Sequence, residues 1–194
     1  MMGRGIRYKS IGSGRRVAVE QIKLIITLTL TGLILIALET TALSRIPLPG
    51  FGGSTAAPAL GLLFSMAVGF LHGEREGGVT GLAAGWIMDS ALGGEATGGI
   101  LILPLLYFLC GYLSGTVGKR SLAHNLPSFV VFSAVGGGFK CLTSVCIAAV
   151  KLRALPPGVW ILRGIVPPLI LTMLFSVAVY GIVKGEQWLL KPKS

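Results

Sequence analysis

Six apolar runs leave this chain few ways to fold. They lie at about residues 22–43, 56–71, 77–93, 98–117, 126–150 and 163–183. A helix that spans a bilayer needs about 17–25 apolar residues. Charged residues make up only 12% of the chain, against about 25% in soluble domains, which is too few to cover a surface in water. The sequence therefore predicts an all-α membrane protein, a bundle of about six transmembrane helices.

The flanking segments and the shortest runs qualify this prediction. Residues 1–21 are basic and contain glycine, so we expect a flexible tail before a transmembrane domain at 22–187. Residues 188–194 form a short basic tail. No convincing cleavage site follows the first run, which predicts a retained helix rather than a signal peptide. The runs at 56–71 and 77–93 are short, and five spans would result if they formed a re-entrant hairpin.

The positions of lysine and arginine predict the orientation. With six spans and a cytoplasmic N-terminus, the inside segments hold twelve basic residues and the outside segments four. This bias follows the positive-inside rule. We therefore expect a multi-pass membrane protein with both termini in the cytoplasm.

The net charge of +10 fits membrane lipids better than nucleic acid, because the basic residues lie between apolar runs. The three cysteines form no CxxC pair, and the two histidines lie far apart. The chain contains no HExxH or phosphate-binding GxxxxGK[ST] motif, and no Ser/His/Asp arrangement. We therefore predict no metal, no cofactor, no catalytic residues and no enzymatic activity.

The third run, GGVTGLAAGWIMDSALGG, combines glycines with an embedded acid. Four glycines and the acid recur at every fourth position, which places them on one helical face; they are Gly77, Gly81, Gly85, Asp89 and Gly93. Such a ridge allows the close approach of another helix. Because an aspartate at the centre of a spanning helix costs about 2.5–3.5 kcal/mol, we expect Asp89 to face protein rather than lipid.

The fifth run, which contains SAVGGGFKCLTS, carries Lys140. At about 1.5 Å of rise per residue, Lys140 and Asp89 reach similar depths. We expect these two residues to approach each other, or to share a polar network with Glu39 of the first run. Arg45 or Arg163 could also compensate Glu39. A structural ion pair, an ion or proton pathway, and a small-molecule pocket all remain open for these charges.

The fourth run offers a second contact face of small residues, Gly111 and Gly115 in CGYLSG. Proline predicts irregularity in two runs. Pro104 should kink or interrupt the fourth helix, and the Pro167–Pro168 pair suits the opening of the sixth helix or a break in it.

The stretch GGVTGLAAGWIMDSALGGEATGGILILPLLYFLCGYLSG resembles the MreD family of rod shape-determining proteins. That family has a helix of small residues ending in an acid, a glycine-bearing turn, and an apolar helix ending in a Gly-Tyr-Leu-like segment. The matching residues here are Gly81, Gly85 and Asp89, then Gly93 or Gly94, then Tyr107, Gly111 and Tyr112. The likeness covers about residues 56–118, and Lys140 does not belong to the family pattern.

The resemblance implies a non-catalytic subunit of the bacterial elongation machinery, which maintains cell shape. The implied partners are MreC, MreB, and the peptidoglycan polymerase RodA with its transpeptidase. The family fold is similar to that of the substrate-binding subunits of energy-coupling-factor transporters. A vitamin-binding subunit of such a transporter is therefore the alternative, and its ligand would lie in the outer half of the bundle.

Overall fold

The computed structural model of the protein describes residues 11–42, 57–91, 102–120, 125–152 and 158–189. These residues form six α-helices and contain no strand. The helices are α1 (Ile11–Ala37, continued by a π-helical turn at Leu38–Ala42), α2 (Leu60–His72), α3 (Glu74–Ala91), α4 (Ile102–Arg120), α5 (Leu126–Leu152) and α6 (Gly158–Leu189). The predicted all-α architecture is confirmed.

Four of these helices are long and apolar enough to cross a membrane. The spans are Ile22–Thr41, Ile102–Lys119, Leu126–Ile147 and Ile165–Leu189. Helix α2 has only 13 residues, or about 20 Å at 1.5 Å per residue, which is shorter than a hydrocarbon core of about 30 Å. Helix α3 has 18 residues, but its first turn contains Glu74 and Glu76. The prediction of six helices is thus confirmed, but only four of the described helices have the length and composition needed to span a membrane.

Short α2 is the central helix of the bundle. Every residue from Leu60 to Phe70 is buried, as expected for a helix that is apolar on all sides. Helices α3 and α4 pack against it and against each other, and α6 packs on it together with α5. Helix α1 runs antiparallel to α2, because Gly32 faces Phe64 while Ile36 faces Gly61.

The ends of several helices differ from the predicted ones. Helix α1 begins at Ile11, so residues 11–21 are helical where we expected a flexible tail; good helix formers such as Ala18, Glu20 and Gln21 explain the extension. Pro104 lies in the first turn of α4, where no intrahelical N–H bond is lost, rather than at a kink. Pro167 and Pro168 lie inside α6, which continues through both of them.

A single glycine separates α2 from α3. Gly73 has φ = 137°, a backbone conformation that residues other than glycine rarely adopt. Its N–H donates to the carbonyl oxygen of Gly69 at 3.0 Å, and its own carbonyl accepts from Gly77 at 3.0 Å. The chain therefore reverses within one residue, and this reversal brings the glycines of α3 back against α2.

Candidate functional site: a glycine seam and a buried ion pair

The predicted glycine ridge of α3 lies directly on the backbone of α4. A Cβ atom on Gly81 would collide with the carbonyl oxygen of Tyr107, and one on Gly85 would lie 2.5 Å from the Cα of Pro104. No side chain larger than hydrogen fits at either position. We call this contact, made by Gly77, Gly81 and Gly85 with the facing backbone of α4, the glycine seam. At these positions the backbones of α3 and α4 lie in direct contact, as small residues allow.

The small residues of α4 face this same seam rather than a second partner. A Cβ atom on Gly111 would collide with the carbonyl oxygen of Gly77, and one on Gly115 would collide with the backbone of Glu74. Gly77 also meets Gly69 of α2, so the three helices α2, α3 and α4 touch at one point. The Ser114 hydroxyl lies beside this point and donates to the carbonyl oxygen of Met66 at 2.8 Å.

Two members of the predicted ridge lie beyond the seam. Asp89 follows one turn after Gly85 and is half-buried, close to the end of α3. Gly93 lies outside the described residues. The structure therefore assigns the close backbone packing to the first three glycines of the ridge.

The acidic partner of Lys140 is Glu39. The Lys140 Nζ donates to Glu39 Oε1 at 2.7 Å, and Glu39 is only 2% exposed. Of the two acids considered for Lys140, Glu39 is the one to which the structure shows it bonded. Depth alone could not choose between them, because α3 packs on α2 and α4, whereas α5 packs chiefly on α6.

The second oxygen of Glu39 caps α2. Glu39 Oε2 accepts the backbone N–H of Gly61 at 2.9 Å, and a carboxylate is favourable at the positive end of a helix. A Cβ atom on Gly61 would lie 3.2 Å from Ile36 Cγ1 and 3.7 Å from Glu39 Oε2. The glycine thus lets α1 pack closely at Ile36, while the carboxylate stands at an ordinary van der Waals distance.

Helix α6 supplies the other cap of α2. The N–H of Ala59 donates to Thr172 Oγ1 at 3.2 Å, and the Thr172 hydroxyl donates to the carbonyl oxygen of Pro168 at 2.6 Å. Ala59 itself has no side-chain oxygen to cap the helix. The start of α2 therefore depends on side chains from two other helices.

An aromatic ring completes the surroundings of the ion pair. Lys140 Nζ lies 5.8 Å from the ring centroid of Tyr107, within the range of a cation–π contact. Tyr107 is fully buried in α4. Arg45, one of the two arginines considered as partners of Glu39, lies outside the described residues, as does the side chain of Arg163.

Sequence reasoning missed a third embedded acid, Glu186. Its carboxylate accepts a short hydrogen bond from the Thr31 hydroxyl of α1. The predicted sixth run ended at residue 183, but α6 continues to Leu189. The apolar residues Trp188, Leu189 and Leu190 beyond the acid were the signal that could have extended the run.

These features define a class: a helical membrane protein with a buried central helix. The glycine seam joins two of the helices that pack on this central helix, and a buried ion pair caps its start. Among the described residues, no group of three or more His, Cys, Asp and Glu is placed to hold a metal ion. Comparison with protein-family models, curated proteins and solved structures found no match.

Proposed function

We propose that this protein is a non-catalytic membrane subunit of the bacterial elongation complex, a scaffold of the MreD kind that maintains cell shape. The observation that carries the proposal is the place of the resembling residues in the fold. Gly81, Gly85 and Gly111 belong to the glycine seam, and Tyr107 presents its carbonyl to that seam. Four of the matching residues thus pack helices together in the glycine seam.

The embedded charges also support a structural role. Both oxygens of Glu39 are engaged, one by Lys140 and the other by the Gly61 N–H. An ion pair satisfied in this way sets the register of helices and leaves neither group free to bind a substrate. The expected partners are MreC, MreB and RodA with its transpeptidase, and the expected location is the cell membrane with cytoplasmic termini.

The same contacts weigh against a vitamin-binding subunit. Such a site needs several polar groups that converge on a ligand. Glu39, one of the few charged residues of the predicted outer half, is already bonded to Lys140 and to the start of α2. The scaffold is therefore the function that the geometry supports best.

The proposal is tested in the bacterium that encodes the chain. Depletion should round rod-shaped cells, and affinity purification from its membranes should recover MreC. Gly81→Leu should abolish rescue of cell shape because the leucine would collide with α4, whereas Gly138→Leu should rescue, because a Cβ there meets nothing within 4 Å. Rod shape maintained during depletion, or saturable binding of a vitamin by the purified protein, would overturn the proposal.

A further inference from the structure

A long apolar groove runs between α1 and α3 along the surface of α2. Its volume is about 440 Å³, within the range of about 300–1,000 Å³ typical of ligand pockets. The floor consists of buried side chains from all three helices, namely Leu28, Phe64, Val68 and Ala84. We call it the α1–α3 groove. It is large enough to hold a molecule rather than a single side chain.

The length of the groove matches one leaflet. It extends from Ile25 to Ile36 on α1 and from Glu76 to Ile87 on α3. Both stretches correspond to about 17 Å at 1.5 Å per residue, which is close to half of a hydrocarbon core of about 30 Å. A partner helix that crosses the bilayer would need a groove along the full thickness, whereas a lipid chain needs only this depth.

Apart from Arg75 and Glu76 at one end, the lining is apolar. The hydroxyls of Thr29 and Thr80 are bonded within their own helices, to the carbonyl oxygens of Ile25 and Glu76 at 2.7 and 2.8 Å. Their methyl groups are the parts left to line the groove. A hydrocarbon chain therefore meets no unsatisfied hydroxyl there.

One end of the groove carries the charged residues Arg75 and Glu76. Arg75 lines that end and is exposed, and no carboxylate among the described residues forms an ion pair with it. The neighbouring Glu76 extends toward the turn, with Oε2 3.0 Å from where a Cβ on Gly73 would lie. A guanidinium in this position matches a phosphate.

We propose that the α1–α3 groove binds an anionic glycerophospholipid, with one acyl chain along the groove and the phosphate at Arg75. The apolar length selects a single-leaflet hydrocarbon chain, and the exposed guanidinium of Arg75 selects a negative headgroup over a zwitterionic one, whose cationic group it would repel. On the expected topology this end faces the cytoplasm, where anionic lipids attract basic residues near the membrane surface.

The headgroup is tested by titrating the full, delipidated protein with phosphatidylglycerol or phosphatidylcholine of the same acyl chains, using native mass spectrometry. The first phosphatidylglycerol should bind about tenfold more tightly, a difference of about 1.4 kcal/mol. Arg75→Gln should reduce this preference to about twofold. The control Lys184→Gln, whose ammonium contacts Tyr180 outside the groove, should retain it. Equal binding by the wild type, or an unchanged preference in Arg75→Gln, would overturn the proposal.

The groove itself is tested at Ala83, an exposed lining residue. Ala83→Phe should weaken both lipids about tenfold by filling the groove, whereas Val177→Phe on the exposed face of α6 should weaken neither. A photo-crosslinking side chain introduced at position 83 should yield a phospholipid adduct in native membranes. An adduct with a polypeptide, either a second copy or another protein, would show that a helix occupies the groove and would refute lipid binding.

Discussion

Replacing either Glu39 or Lys140 alone should destabilise the protein far more than replacing both residues together. At 2.7 Å and an effective dielectric constant of about 20, the attraction between the charges is about 6 kcal/mol before desolvation is counted. Loss of one partner leaves a buried charge uncompensated, which costs about 3–5 kcal/mol. Lys140 retains some exposure, so we expect about 3 kcal/mol for Lys140→Met and a similar loss for Glu39→Gln.

The double variant carries the decisive comparison. Glu39→Gln keeps an acceptor for the Gly61 N–H, and Lys140→Met fills the space of the lysine stem. Together they leave no buried charge, so the double variant should lose only about 1–2 kcal/mol. The assay is reversible unfolding of the purified chain in mixed detergent micelles, followed by circular dichroism. A double variant that loses as much as the two single variants combined would refute the pairing argument.

An exposed ion pair in the same chain provides the control. Lys119 Nζ lies 3.5 Å from Glu74 Oε1, and the side chains are 58% and 30% exposed. Exposed pairs contribute about 0.2–1 kcal/mol. The variants Lys119→Met and Glu74→Gln should each change the free energy of unfolding by less than about 1 kcal/mol. A loss near 3 kcal/mol in these variants would mean that burial does not set the cost.

Three further changes test the packing and the caps by the same unfolding assay. Gly81→Ala should lower the free energy of unfolding by about 2 kcal/mol or more, because the backbone atoms of α4 cannot move away from the added methyl group. The control Gly138→Ala should be neutral or stabilise by up to about 1 kcal/mol. Equal effects of the two changes would refute close packing at the glycine seam. Thr172→Val should cost about 1–2 kcal/mol by leaving the Ala59 N–H without an acceptor, and Thr172→Ser should restore most of it; failure of serine to do so would contradict the cap. Gly73→Ala should cost at least about 1 kcal/mol because its φ is 137°, and an unchanged stability would show that the turn relaxes.

The glycine seam could be predicted from the sequence, because spacing by four residues fixes a helical face whatever the helix packs against. Gly77, Gly81 and Gly85 needed only this periodicity and the preference of membrane helices for small residues at contacts. The identity of the partner was less accessible. Gly111 and Gly115 gave the same signal, but their spacing does not reveal that they meet Gly77 and Glu74 of α3.

The partner of Lys140 in the ion pair could not be predicted from the sequence. Rise per residue gives the depth of Asp89, Lys140 and Glu39, but not which helices are neighbours. Glu39 is chosen because its carboxylate reaches the backbone N–H of Gly61 at the start of α2, a contact between helices that depth does not reveal. Thr172 was equally hidden, because a threonine in an apolar helix carries no sequence signal that distinguishes a cap from a hydroxyl bonded within its own helix.

The shortness of α2 connects these features causally. Its 13 residues place its first turn beside Glu39, Lys140 and Thr172, each of which lies within a helix long enough to span the membrane. The N–H groups of that turn are buried inside the bundle and need acceptors from elsewhere. Glu39 and Thr172 supply them, and the charge of Glu39 in turn requires Lys140. The buried ion pair is thus the consequence of enclosing a short helix at the centre of a bundle, and the glycine seam is what allows α3 and α4 to enclose it.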